Sequence, residues 1–342
     1  MCMPATNQNE REQTSHQAPI DFSEYQRPST GRSIWQLTNS LVPYIALMWY
    51  AIWVFDYSYW LALPAIVLAA GFLIRLFIIF HDCGHGSFFA TQRANNILGR
   101  CMGLLTFAPF TYWNKSHARH HATSANLDKR GQGDVWMMTV EEYKAAPLKE
   151  KITYRLYRNP FVMFILGPIF IMFISNRVVR RKVDKREKMS VYLSNLGILA
   201  FVGTMCYLVG WKQFLLVQFP AVYLSTVVGV WLFYVQHQFE GVYWARQEEW
   251  DFQTASIDGG SFYALPRILH WFTGNIGYHH IHHLNSRIPN YYLPKAHSEA
   301  KELLTVPGIG IRKSLKSLTY RLWDETQNRL VGFRRARVTS DR

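Results

Sequence analysis

Cysteine is scarce in this sequence, and several familiar metal-site motifs are absent from it. Only four cysteines occur among 342 residues, and no two of them form a CxxC pair. This spacing excludes a disulfide framework and fits a protein on the reducing side of a membrane. Neither the zinc-peptidase motif HExxH nor the ExxH pair of ferritin-like di-iron proteins occurs. The first residues lack the basic and then apolar start of a secretory signal, so we expect no cleaved leader.

Long apolar runs, in contrast, are plentiful. Residues 61–80 contain one charged side chain in twenty positions, which is enough apolar length to cross a bilayer as a helix. The run 41–55 precedes it across the short aromatic link DYSYW, and the runs 191–210 and 214–235 form a second pair around WKQ. The sequence therefore predicts four membrane spans in two hairpins. Their expected limits are about residues 39–57, 61–80, 190–210 and 214–235.

Positive charge is concentrated beside these runs. The chain has 37 Lys and Arg against 23 Asp and Glu, with seven of the basic residues between positions 177 and 188 and ten after position 300. Basic residues next to spans mark the cytoplasmic face of a membrane, so we expect no nucleic-acid partner. We expect a cytoplasmic N-terminal tail (1–35), a membrane domain (36–300) and a basic cytoplasmic C-terminal tail (301–342).

A fifth apolar run, 161–174, is short and contains Gly167 and Pro168. Both of its flanks are rich in basic residues, which predicts that they lie on the same side of the membrane. The run is therefore expected to be an interfacial or re-entrant helix, and so is the stretch 98–113. This topology places both termini and every histidine cluster on the cytoplasmic side.

Three of the histidine clusters have helical spacing. They are HDCGH at 81–85, HARHH at 117–121 and HHIHH at 279–283. Residues three and four apart share one face of a helix, and neutral imidazole is a good ligand for iron, zinc, copper and nickel. The histidines aligned in this way are His81, His85, His117, His120, His121, His279, His282 and His283. They are too many for one tetrahedral zinc and fit two metals with four or five nitrogen ligands each.

The remaining histidines and the nearby polar residues leave more alternatives open. His237, at the end of the fourth run, is the candidate for a ninth ligand, and His270 is a weaker candidate. His280 breaks the helical register of its neighbours, which favours a supporting role. His16 and His297 are expected to be ordinary hydrogen-bonding side chains. Four further residues could either orient an imidazole N–H group or be solvated loop residues, namely Asp82, Asn126, Asp128 and Asp134.

The order and spacing of the three clusters resemble those of the membrane fatty acid desaturases. The segments VQHQF, EEWDFQTASID and LHWFTGNIGYHHIHHLNSRIPNYYL look like the C-terminal half of the omega-6 (delta-12) acyl-lipid branch. The resemblance covers roughly residues 35 to 300. It implies an all-α integral membrane protein with four transmembrane helices in two hairpins and a cytoplasmic helical cap that holds a non-haem di-iron site. The resemblance implies that the eight aligned histidines and His237 are the metal ligands.

The resemblance also implies an activity. Two iron ions, dioxygen and two external electrons would introduce a cis double bond into a long acyl chain, at the omega-6 or delta-12 position of a membrane lipid or an acyl thioester. The haem motif HPGG is absent, so a separate ferredoxin or cytochrome would supply the electrons. In a bacterium the enzyme would lie in the inner membrane. Four aromatic residues are candidate walls of the acyl slot, namely Phe77, Phe80, Phe88 and Phe89.

Three other functions are compatible with parts of this pattern. A lipid or carotenoid hydroxylase on the same scaffold would need the same histidines. A membrane zinc hydrolase would need fewer histidines and a nearby general base. A metal transporter would carry histidines within its spans, and these runs are almost free of histidine.

Overall fold

The computed structural model describes residues 21–131, 133–180, 183–300 and 306–338, and most of these residues are helical. The helices are α1 (Thr30–Phe55), α2 (Tyr59–His85), α3 (Gln92–Leu105), α4 (Phe110–Thr123), α5 (Val140–Ala145), α6 (Leu148–Tyr157), α7 (Val162–Ser175), α8 (Lys185–Val209), α9 (Trp211–His237), α10 (Phe252–Ile257), α11 (Arg267–Phe272), α12 (His279–Leu284), α13 (Leu293–Ala300), α14 (Ile311–Ser314) and α15 (Arg335–Val338). The strands are β1 (Met138–Thr139), β2 (Phe262–Tyr263), β3 (Gly308–Ile309), β4 (Leu322–Asp324) and β5 (Arg329–Val331).

Four of the helices, α1, α2, α8 and α9, are long and apolar enough to cross a membrane. This confirms the four apolar runs as candidate spans. Helix α2 is the most enclosed of them, because 67% of its apolar 18-residue stretch is buried inside the protein. Helix α8 lies at the other extreme, at 6%, so nearly all of its apolar surface faces outwards.

The links within the two pairs of long helices lie side by side. Gln213 Nε2 donates to Asp56 Oδ1 over 2.9 Å, and Tyr59 Oη donates to the Leu216 carbonyl over 3.3 Å. Helices α2 and α9 therefore begin at the same end of the bundle and run in the same direction. Both helices end in histidine, α2 at His85 and α9 at His237.

Local signals define the ends of the helices that approach the histidines. Helix α2 stops at Gly86, whose φ of 69° lies in the left-handed region that glycine adopts without a steric penalty. Helix α8 begins with a capping box in which Asp184 Oδ1 accepts from the Glu187 N–H over 2.8 Å and Glu187 Oε2 accepts from the Asp184 N–H over 3.1 Å. Each end is thus specified by residues within one turn of it.

Helix α7 runs beside α9 away from the histidine-bearing end of α9, and the chain then turns back towards that end. The ring of Phe164 contacts Trp231, and the ring of Phe173 contacts Phe219, which lies earlier in α9. The backbone of α7 is irregular, because π-helical turns at Val162–Leu166 and Ile171–Ser175 flank the short α-helical piece Gly167–Phe170. Helix α8 then starts beside α4, where Arg119 pairs with Glu187. Helices α6 and α7 meet at a bend of 64°, which fits either a broken span or a re-entrant segment, so the interfacial or re-entrant helix stays a prediction.

The stretch 98–113 forms two helices rather than one. Helix α3 ends at Leu105, a turn through Phe107 with a φ of 55° follows, and α4 starts at Phe110. The ring of Phe107 contacts Phe219 of α9, so the turn lies well away from the histidine-bearing end of that helix. The break matters for the site, because it brings α4 back towards the end of α2.

Short strands correct the prediction of a purely helical fold and of a C-terminal tail. Strands β1, β4 and β5 form one sheet in that order, with β1 parallel to β4 and β4 antiparallel to β5. Strand β3 pairs in parallel with β2. Trp323 is 2% exposed. Residues 306–338 are therefore packed into the fold, because their apolar side chains and strand edges find partners there.

The C-terminal segment is attached to the end of α9 by a buried arginine. Arg158, 1% exposed, donates from Nη2 to Gln238 Oε1 and to the Tyr320 carbonyl, each over 3.0 Å. Tyr234 Oη donates to the Ser317 carbonyl over 2.8 Å. These bonds join the residues that flank His237 to the chain after residue 306.

We expect Arg158→Ala to destabilise the folded protein by about 2 to 3 kcal/mol, because buried acceptors on Gln238 and Tyr320 lose their donor. The thermal unfolding midpoint in detergent measures this loss. Lys149→Ala, at an exposed position of the helix that Arg158 follows, is the control and should leave the midpoint unchanged. Equal midpoints for the two variants would contradict the role given to Arg158.

Candidate metal centre

Four helices bring nine histidines to one end of the bundle. Helix α2 contributes two histidines from its last turns and α9 contributes its last residue, while α4 and α12 contribute three each. The members are the eight histidines expected from their spacing, together with the ninth candidate: His81, His85, His117, His120, His121, His237, His279, His282 and His283. Residues that are more than 200 positions apart in the chain thus become neighbours.

The nine side chains form two groups. The first group, called here group A, contains His81, His85, His117, His121 and His282. The second, called group B, contains His120, His237, His279 and His283. Within each group one nitrogen per residue lies within 4.8 Å of every other, and each group draws on three helices. The nine histidines thus divide into one set of five nitrogens and one set of four, as expected from the sequence.

The spacing of the ring nitrogens fits a shared ion. Nε2 of His121 lies 3.1 Å from Nε2 of His117 and 3.1 Å from Nε2 of His282 in group A. In group B, Nε2 of His237 lies 3.1 Å from Nε2 of His120 and 2.9 Å from Nε2 of His279. Two nitrogens that each lie about 2.1 Å from one metal ion are separated by roughly 3.0 to 3.4 Å at angles of about 90° to 109°.

Burial favours the neutral form of five of the clustered imidazoles. Removal from water lowers the pKa of His117, His121, His279, His282 and His283 well below its usual range, and the neighbouring imidazoles lower it further. Neutral imidazole is the form that ligates metals. The same burial that disfavours the cation therefore prepares the nitrogens for an ion.

Unpartnered nitrogens support the fit to metal. Nε2 of His85 in group A and Nε2 of His283 in group B are buried and have no hydrogen-bond partner among the described residues. A buried polar atom without a partner is costly, and native structures contain few of them. A metal ion in each group would satisfy these atoms, so the donor set fits two ions that prefer nitrogen.

Three acceptors orient the rings from outside the groups. Asp82 Oδ1 lies 3.0 Å from Nδ1 of His81, and Asp134 Oδ1 is hydrogen-bonded to Nδ1 of His120. Nδ1 of His237 lies 3.1 Å from the Gly259 carbonyl. When Nδ1 donates to an acceptor in this way, the ring presents Nε2 to the metal.

The carboxylate of Asp82 is itself held in place. Its Oδ2 accepts from the backbone N–H of Asn290 over 2.7 Å and from Asn290 Nδ2 over 2.8 Å. Gln36 of α1 donates to Asn290 Oδ1 over 2.8 Å. The orientation of His81 thus depends on its neighbour Asp82 and, through it, on two distant parts of the chain.

The other histidines lie outside both groups. Nε2 of His280 lies 3.1 Å from Nδ1 of His297, and burial lowers the pKa of His280 to about 3. This places His279, not His280, among the convergent nitrogens. Nε2 of His270 accepts from the Leu265 N–H over 3.2 Å. His16 lies outside the described residues.

Two of the four polar residues considered from the sequence do not reach an imidazole. Asn126 donates from Nδ2 to Gln247 Oε1 over 3.0 Å, and Asp128 accepts from Arg246 Nη1 over 2.8 Å. Both residues stabilise the loop between α4 and β1 against the chain near residue 246. Asp82 and Asp134 are the pair that contacts the rings.

A cavity of about 780 Å³ opens onto both groups. Its walls include His81 and His117 of group A and His279 of group B, and most of the remaining wall is apolar. Helices α2, α4, α7 and α9 all contribute side chains to it. The volume lies within the range of roughly 300 to 1,000 Å³ that is typical of small-molecule sites.

Of the four phenylalanines expected to line a slot, only Phe77 is among the residues of this wall. Phe80 and Phe88 are fully buried in the core between the helices, and Phe89 packs against that core. The wall instead includes α7 residues such as Met163 and Phe170. The spacing of residues in the sequence does not predict that α7 lines the cavity, because the path of α7 follows from tertiary packing.

A scan against protein-family models matches the fatty acid desaturase family over residues 57–314. The chain belongs to this family. A fatty acid desaturase of Bacillus subtilis (strain 168) is 51% identical over 310 residues, which cover 91% of this chain and 88% of the relative. The chain is therefore an oxidoreductase of lipid metabolism.

More distant desaturases differ in the position that their names specify. The sn-1 acyl-lipid omega-3 desaturase (ferredoxin) of Nostoc sp. (strain 36) is 27% identical over 78% of this chain and 74% of its own length. The sn-1 oleoyl-lipid 12-desaturase of Synechocystis sp. (strain ATCC 27184 / PCC 6803 / Kazusa) is 26% identical over 72% and 70%. These similar identities do not distinguish the delta-12 branch from the omega-3 branch.

We expect His237→Ala to lower the metal content of the purified desaturase by about one ion per chain, because group B would keep only three of its four nitrogens. His270→Ala is the matched control and should retain the full content, since His270 lies outside both groups. Elemental analysis together with circular dichroism separates metal loss from misfolding. Full metal content in the His237 variant would remove this residue from the ligand set.

We expect Asp82→Asn to weaken iron binding by about 10- to 100-fold while leaving the helical content intact. The amide oxygen can still accept from Asn290, but the NH2 group then faces Nδ1 of His81 and cannot accept its proton. Titration of the apo-protein with ferrous iron measures the affinity. Asp128→Asn, which changes a carboxylate remote from the rings, should bind iron as the unmodified protein does.

Proposed function

We propose that this desaturase introduces a cis double bond into a long acyl chain of a membrane lipid, with two irons held by groups A and B. The single observation that carries the proposal is the cavity whose wall contains histidines of both groups. A chain lying in it would have a methylene pair beside both metal positions. The delta-12 position is the one favoured by the resemblance of the C-terminal segments.

The wall of the cavity suits an acyl chain. Ile74 and Phe77 of α2, Leu166 and Phe170 of α7, and Phe233 of α9 contribute apolar surface to it. An alkyl chain has no polar group with which to anchor itself, so shape and apolar burial must position it. The protein would thus contribute position rather than acid–base chemistry.

Two irons, when bound, would supply the reaction with dioxygen and two external electrons that an unactivated C–H bond requires. The residues of the chain hold that chemistry in place. Asp82, Asp134 and the Gly259 carbonyl fix three of the rings, which keeps the nitrogens directed at the two positions. All four histidines of group B are buried, which limits the access of water to that half of the centre.

We infer that the histidine end of the bundle faces the cytoplasm, where an electron donor can reach it. The basic residues of the first turn of α8, Lys185, Arg186 and Lys188, lie next to this end, since α8 begins beside α4. In a bacterium the protein would lie in the inner membrane. The relatives whose names specify ferredoxin support a separate small electron carrier as the partner.

Expression in a host that makes only saturated and monounsaturated chains tests this proposal. We expect new double bonds in the membrane lipids, located by mass spectrometry, and about two irons per purified chain. His120→Ala and His282→Ala, one from each group, should abolish the new products while the protein still inserts into the membrane. Hydroxylated chains would assign the scaffold to a hydroxylase, and about one zinc without iron would assign it to a hydrolase.

A further inference from the structure

Helix α9 offers one continuous face to the cavity. Apart from Tyr234, the residues of α9 in the wall recur at the spacing expected for one face of a helix: Ser225, Thr226, Gly229, Val230, Leu232, Phe233 and Gln236. The helix ends at His237 of group B. Position along α9 therefore measures distance from the metal centre.

The cavity follows this face away from the histidines. Asn176 also lines it and donates from Nδ2 to the Phe107 carbonyl over 3.3 Å. The ring of Phe107 contacts that of Phe219, which precedes His237 by 18 positions and so lies about 27 Å from it along the axis. One end of the cavity is thus at the imidazoles and the other lies beside the early part of α9. Gly229 lies between them.

Gly229 leaves part of the cavity unfilled. A Cβ atom built at this position would have no other atom within 4 Å. Ser225 and Thr226, one turn earlier, direct their hydroxyls to the Val222 carbonyl over 2.8 and 2.7 Å, so their polarity is satisfied within the helix. The wall near Gly229 is consequently both apolar and open.

We propose that Gly229 is a specificity-determining residue. Because it has no side chain, it lets an acyl chain extend more than about ten carbons from the desaturated carbon. The eight positions from Gly229 to His237 correspond to about 12 Å of helix. An extended chain with bonds of about 1.52 Å and angles near 111° advances roughly 1.25 Å per carbon, so about ten carbons span that distance. A side chain at position 229 would occupy the space that the next carbons need. The inference rests on the proposed function.

Gly203 of α8 provides a matched control. A Cβ atom there also meets nothing within 4 Å, and the residue is likewise a glycine within a long apolar helix. Gly203, however, is exposed on the outer surface and does not line the cavity. Leucine at either position adds the same volume and the same helix propensity, so the two variants differ in where that volume is placed.

The test compares the unmodified enzyme with Gly229→Leu, Gly229→Ala and Gly203→Leu, each supplied with saturated chains of graded length. Product analysis locates each new double bond and so counts the carbons on both sides of it. In Gly229→Leu we expect at least about a tenfold loss of conversion for chains that extend more than about ten carbons past the double bond towards Gly229. Shorter chains should keep their conversion, Gly229→Ala should show a smaller shift, and Gly203→Leu should match the unmodified enzyme.

The outcomes separate this inference from the proposed function. A Gly229→Leu enzyme with an unchanged chain-length profile would overturn the role of Gly229 while leaving desaturation intact. An equal loss for all chain lengths with reduced iron content would also overturn it, since the substitution would then act through the fold. An unmodified enzyme with bound iron that makes no unsaturated product from any chain would instead refute the proposed function.

Discussion

The gathering of nine imidazoles, most of them buried, at one end of a helical bundle is the constraint on which the remainder of this structure depends. Histidine side chains are rarely gathered in this number away from water, because each ring nitrogen needs a partner. Here the rings are divided into two groups whose nitrogens face one another. Two of those nitrogens, on His85 and His283, have no hydrogen-bond partner among the described residues. Such an arrangement is stable only when something else satisfies the nitrogens, and metal ions fit that requirement.

Much of the surrounding architecture supports the placement of these rings. Helices α2 and α9 run in the same direction from adjacent links and so deliver His85 and His237 to the same end. The turn at Phe107 returns α4 to that end with three more histidines. The C-terminal segment, bound through Arg158, encloses the residues next to His237. Elements that carry no ligand therefore contribute to the geometry of the site.

The two groups differ in their surroundings. In group A, His85 and His121 are partly exposed, whereas every member of group B is buried. The cavity reaches both groups, at His81 and His117 on one side and at His279 on the other. A metal centre with one partly exposed group and one enclosed group fits the proposed reaction, which takes electrons from a separate donor and an acyl chain from the apolar cavity.

The candidate ligands could be predicted from the sequence to an unusual degree. All eight aligned histidines and His237 lie in the two groups, because spacing of three and four residues determines which side chains share a helix face. The four apolar runs likewise correspond to the four long helices. The helical register favoured His279 over His280 as a ligand, and the structure places His279 in group B while His280 contacts His297.

Other features were predicted wrongly from the sequence or could not be predicted from it. Residues 306–338 were expected to be a tail, yet their strands pair with β1 and β2, which are remote in the chain. Phe80 and Phe88 lie in the core rather than in the cavity wall, because helix packing decides which face of α2 meets α7 and α9. The sequence by itself determined which residues can ligate metal and which segments are apolar enough to span a bilayer, since both depend on local composition and helical period. Only the tertiary structure decided how the nine rings divide into two groups, what holds each ring, and where the cavity runs, because those depend on contacts between segments that are far apart in the chain.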